Sequence, residues 1–215
     1  MHDHTDHPPD CGCHLHGTAG DDPPPDRAPN MLYDALFAPH MDSTAPLLSW
    51  QGRRIGHAKF LRLAARAANA YAAAGLGAGD VVVVQVGKSP TALALCAGAV
   101  QAGVVYLPLN PAHGPAEVDQ VRAASGAALL ICDPASEPAL AGDCPILTLS
   151  AQGAGGSFLD LMAGQEDVAP VAARGPEDAA ALCVTAGVPH VVTHRAELAR
   201  ARGLADLWAP LDAGP

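Results

Sequence analysis

Residues 81–111, VVVVQVGKSPTALALCAGAVQAGVVYLPLNP, limit what this chain can fold into more than any other stretch. A β-branched run over 81–86 breaks at Gly87 and gives way to a small-residue, Leu-containing stretch over 91–102. Gly103 ends that stretch, and a second apolar run over 104–107 stops at Pro108. The pattern predicts strand, turn, helix, strand, with Ser89 as the helix N-cap and Pro90 at the first helical position. So short a crossover between two continuous apolar runs implies parallel strands buried on both faces, joined in the right-handed sense.

The flanking sequence extends that unit. Residues 30–37 predict a short helix capped by Asn30, and 47–50 with 53–55 predict a hairpin about Gln51-Gly52. Residues 57–74 predict the clearest helix: Phe60, Leu61, Ala64, Ala65, Ala68 and Tyr71 share one face, and Gly75 closes it. Beyond Pro111, a helix is expected over 115–124 with Glu117 in its first turn. Buried strands are expected over 127–132 and 145–149, and a flexible Gly-rich loop over 151–156. A short helix capped by Ser157 follows, then a polar connection over 166–178, strand-like runs over 179–185 and 188–193, and a last helix over 195–207. Strands alternating with helices indicate an α/β fold with a mostly parallel sheet flanked by helices.

Composition narrows the functional classes. The chain has 215 residues, enough for one sizeable domain, expected over 30–215, and a tail over 1–29. Its net charge is −10 and its only lysines are Lys59 and Lys88, so no basic stripe exists for nucleic acid. Gly, Pro or Lys interrupts every apolar run short of membrane-spanning length, and no export signal opens the chain, so a cytoplasmic location is expected. Cys96, Cys132, Cys144 and Cys183 stand singly in apolar surroundings and read as small core residues.

The tail is a different kind of sequence. It carries five histidines, six aspartates, two cysteines and six prolines with almost nothing apolar, so disorder is expected. His2, His4 and His7, followed by Cys11, Cys13, His14 and His16, put imidazole and thiolate within a few residues of one another, a ligand set suited to Zn²⁺ or Ni²⁺. The spacing matches no closed structural zinc site. A solvated tail that binds metal only adventitiously is the competing reading.

The segments SWQGRRI, FLRLAARAANAYAAAGLGAGD, the 81–111 unit and ALLICDP, in this order, resemble the N-terminal region of the AMP-forming acyl-CoA synthetases. The combination of KSP-x-ALAL, AG-x-VYLPLN and PAEVDQV is most similar to the malonyl-CoA synthetase branch. The resemblance covers about 30–212 and implies part of that family's N-terminal subdomain. It also implies ATP and Mg²⁺ as cofactors, with coenzyme A and a small carboxylic acid as partners. Members convert the acid to an acyl-adenylate and pass the acyl group to the thiol.

Where the family's phosphate loop should begin, this chain reads ALCVTAG over 181–187. The resemblance assigns Thr185 and Gly187, with Thr193 further on, as remnants of the nucleotide site. Val184 replaces the loop's aromatic residue and Ala186 its serine; Val188-Pro189 stand where further hydroxyls, a glycine and a lysine belong. Departing pyrophosphate needs such a nest and cation, and loss of one well-placed donor alone costs about 3–4 kcal/mol. The family's later elements, including the acid pocket and the C-terminal domain, are also expected to be missing. The chain alone is therefore expected not to adenylate an acid.

Other residues invite functional readings with weaker support. Lys88 lacks the glycine context of a phosphate loop. His113 and His194 have no nucleophile or carboxylate beside them, and His194 reads as a helix-start or packing residue. Gly153 to Gly156 read as a mobile loop, and Cys183 as core. Two functions remain: a shortened acyl-CoA synthetase-like protein, and a non-catalytic scaffold that binds a partner and carries a metal-binding tail. The resemblance also implies a region that packs against the rest of a larger domain, so exposed apolar surface, and hence self-association or a complementing chain, is expected.

Overall fold

A computed structural model describes residues 27–140 and 143–208. The tail's candidate metal ligands, His2 to His16, lie outside the described residues.

The 81–111 unit forms as its sequence dictates. β3 (Val81–Gln85) and β4 (Val105–Pro108) are parallel neighbours, with Val81 opposite Val105 and Val84 opposite Pro108. Between them runs α3 (Pro90–Ala102), whose first free N–H groups are met by Ser89 Oγ, 3.1 Å from the Ala92 nitrogen. Gly103 ends α3 at φ +71°, a conformation glycine adopts without strain. α4 (Pro115–Ser125) then leads to β5 (Leu129–Cys132), which pairs with the other edge of β3.

Alternation of side chains along β3 creates two cores. Val82 and Val84 pack with Tyr71, Leu95, Ala99 and Phe158 on one face, while Val83 packs with Val118 and Val121 of α4 on the other. Both faces are covered, so β3 and β5 read as unbroken apolar runs rather than alternating ones. β6 (Ile146–Thr148) extends the sheet beyond β5, and β7 (Ala179–Thr185) joins β4 in parallel. β8 (Val188–Thr193) returns antiparallel to β7, giving the order β6-β5-β3-β4-β7-β8. The sheet is thus mostly parallel, with one antiparallel edge strand.

The alanine-rich composition has its explanation in α2 (His57–Ala73). This helix packs on α3 so closely that a Cβ at Gly98 would lie 2.6 Å from the Ala64 carbonyl oxygen and 2.8 Å from Ala67 Cβ. Small residues on both helices allow the approach. The short helix α1 (Met31–Leu36) is capped by Asn30, whose side chain accepts from the Tyr33 N–H and donates to Val100 and Ala172 carbonyls. The hairpin of β1 (Pro46–Trp50) and β2 (Arg53–Gly56) turns on Gln51 and Gly52, both at positive φ.

Two sequence expectations are corrected. The N-cap of α5 (Ser157–Ala163) is Gly156, not Ser157. Gly156 sits at φ +117°, where a Cβ would collide with the Thr148 carbonyl. Ser157 instead exchanges hydrogen bonds with Thr148: its Oγ accepts from the Thr148 N–H and its N–H donates to Thr148 Oγ1, both at 2.9 Å. The 151–156 loop, expected to be flexible, is held by contacts from elsewhere in the chain. The Ala151 N–H donates to Asp133 Oδ2 at 2.8 Å, and Thr91 Oγ1 donates to the Gly153 carbonyl at 2.9 Å.

Candidate functional site

The sheet has a natural crevice between β3 and β4. The chain leaves β3 through α3 on one face and leaves β4 through α4 on the other, so their carboxyl ends diverge. A cavity of about 520 Å³ opens there, bounded by the 86–90 turn, the start of α3, the end of β4 and Trp50 of the hairpin. Burial pushes the Cys96 thiol in its wall up to about 11 and raises the Tyr106 phenol above its usual value. Both groups are neutral at physiological pH. Lys88 is exposed at the rim.

The β7–β8 turn carries Thr185 and Gly187, two of the three residues that the resemblance assigns to the nucleotide site. Thr185 pairs with Val188, so Ala186 and Gly187 alone make the turn, at φ +51° and +79°. Positive φ at both central positions is the tight type I′ geometry that matches strand twist. The two strands are joined as a tight hairpin. Thr185 and Gly187 share its tip, but Thr193 pairs with Ala179 at the far end of β8, about 17 Å away at strand rise. There the Thr193 hydroxyl accepts from the Ala196 N–H at 3.2 Å and caps α6 (His194–Trp208).

The remaining residues fall into place around these two features. His194 opens α6 and is 1 % exposed; its backbone N–H donates to the Asp178 carbonyl, while Nδ1 has no partner. Burial, and then the Arg174 guanidinium, lower its pKa, with Asp178 opposing. His113 Nδ1 is likewise buried without a partner, and its carbonyl accepts from Gln85 Nε2 at 2.9 Å. Cys183, read from sequence as core, is exposed on β7 and faces His190 across the hairpin. Among the described residues no three His, Cys, Asp or Glu side chains gather as a metal site. No described helix is long and apolar enough to cross a membrane. Cys96 and Tyr106 were concealed in sequence because each sits inside an apolar run that reads as core.

An open α/β sheet with a crevice at diverging strand ends defines the class of doubly wound folds that bind ligands at that crevice, and comparison with known proteins makes it specific. The AMP-binding enzyme family model matches residues 37–188, and the chain belongs to that family. The AMB antimetabolite synthetase AmbE of Pseudomonas aeruginosa is 32 % identical over 162 residues, covering 70 % of this chain and 7 % of its own length. A feruloyl-CoA synthase from an Amycolatopsis species is 32 % identical over 157 residues, 71 % of this chain and 29 % of the relative. The crystal structure of ATP-bound MatB from Rhodopseudomonas palustris superposes with a TM-score of 0.78 at 30 % identity, covering 84 % of this chain and 38 % of that one. The chain thus spans well under half the length of each.

ATP and Mg²⁺ use is implied by the family, and the residues present do not fit a triphosphate. The hairpin tip offers one hydroxyl, Thr185, and two turn residues; no lysine lies in 181–195. Its two central residues form a tight turn, not the longer glycine- and hydroxyl-bearing loop that wraps a triphosphate.

Proposed function

We propose that this chain is an acyl-CoA synthetase-like AMP-binding domain, related to the malonyl-CoA synthetases, that has lost its grip on nucleotide phosphate. In the family reaction a carboxylate oxygen attacks the α-phosphorus of ATP, pyrophosphate leaves, and the thiol of coenzyme A then displaces AMP from the acyl-adenylate. The observation that carries the reading is the two-residue turn at Ala186-Gly187, set where the family builds its phosphate loop. The malonyl affinity rests on the wording of the 81–111 unit. ATP–pyrophosphate exchange with malonate and Mg²⁺ tests it: exchange by the isolated chain should not exceed the protein-free blank. Chain-dependent exchange would overturn the loss of activity.

A second reading, a non-catalytic partner-binding scaffold, is favoured by edge strand β8. There Val188 and Val191 are 55 % and 63 % exposed on a strand with no further neighbour among the described residues. Sedimentation over a wide concentration range should show self-association, and a monomer throughout would count against it. For the tail, Zn²⁺ or Ni²⁺ should bind the full chain more tightly than a variant with Cys11→Ser, Cys13→Ser and His14→Ala. Equal affinities would remove the metal role.

A further inference from the structure

The cavity between β3 and β4 is lined by none of the residues of the β7–β8 turn. Its volume, about 520 Å³, lies in the range of small-molecule sites. Its walls are mostly apolar, and among the described residues no Asp or Glu lines it. Tyr106 is half-buried in the wall, and its hydroxyl makes no hydrogen bond among the described residues and stays open to solvent. A hydroxyl so placed is free to donate to an acceptor on a molecule in the cavity.

Positive potential is concentrated at one side. Lys88 stands at the rim with no ion-pair partner among the described residues, in a chain with only two lysines and a net charge of −10. Ser89 and Pro90 place the N-terminus of the 13-residue helix α3 beside it, adding the positive end of a helix dipole. Charge at one side and apolar wall elsewhere describe the complement of an amphipathic molecule.

We propose that this cavity binds a small amphipathic anion, its apolar body against Val86, Ala92 and Leu109 and its anionic head at the Lys88 ammonium. A hydrogen-bond acceptor on the ligand meets the Tyr106 hydroxyl. The site is separate from the β7–β8 turn, and the proposal stands or falls independently of lost adenylation.

Two fluorescent probes test it on the full chain: 1-anilinonaphthalene-8-sulfonate and its uncharged parent, N-phenyl-1-naphthylamine. The sulfonate should saturate a single site and bind about tenfold more tightly than the neutral probe, the scale of one charge-assisted contact. Lys88→Ala should erase that difference, and Cys96→Phe, which fills the cavity, should remove binding of both. Lys88→Glu, at an exposed position that leaves packing untouched, should weaken the sulfonate further and keeps the test sharp if Cys96→Phe does not fold. Val191→Ser on β8 should change nothing. Equal affinity for the two probes would overturn the proposal, as would full sulfonate binding in folded Cys96→Phe. So would a signal that falls as the chain self-associates, which would give the cavity to a contact between copies.

Discussion

His194 shows how one buried side chain sets a pH dependence. Enclosed at the start of α6, with Arg174 and Asp178 facing it and Nδ1 unpartnered, it has a folded-state pKa below its ordinary 6.5. The unfolded chain therefore takes up the proton more readily. The stability contributed is fully present above pH 6.5 and is lost as pH falls through that value toward the folded pKa. Urea unfolding at pH 7.5 and 5.5 should show wild type losing more stability than His194→Gln, by up to about 1.4 kcal/mol in total. Equal losses would show that His194 does not titrate on unfolding. Ala186 makes a complementary case. At φ +51° its Cβ strains a turn that glycine would occupy freely, so Ala186→Gly should stabilise the chain by about 0.5–1 kcal/mol, read from the same unfolding curves. A destabilised variant would contradict the type I′ assignment.

At the scale of elements, contact between α2 and α3 depends on the missing side chain at Gly98. Gly98→Val should overpack that contact and cost about 1–3 kcal/mol, seen as a lower thermal midpoint. An unchanged midpoint would mean that the helices separate at little cost. Elements set by periodicity and caps were legible in sequence: β3, α3 and β4, the face of α2, and the caps Ser89 and Asn30 all form where their residues point. Features set by distant contacts were not. Nothing local marks Gly156 as the residue pressed against Thr148, and the order of the 151–156 loop comes from Asp133 and Thr91, far away in sequence. The cavity was illegible for the same reason, since Lys88, Cys96 and Tyr106 meet only once β4 lies beside β3. Of the residues assigned to the nucleotide site, the sequence grouped three that the fold separates, because a hairpin carries Thr193 away from its tip.

For the whole molecule, the sheet and its covering helices superpose on part of longer family structures, and β7 and β8 are joined by a two-residue turn. The central claim is that the fold persists without the phosphate grip that adenylation needs. Isothermal titration of the intact chain with Mg²⁺ and a non-hydrolysable ATP analogue tests this most directly. The account predicts no saturable heat up to about 1 mM nucleotide, corresponding to binding weaker than about −4 kcal/mol. A saturating isotherm that Thr185→Ala abolishes would contradict it, because the hairpin tip would then be holding the nucleotide after all.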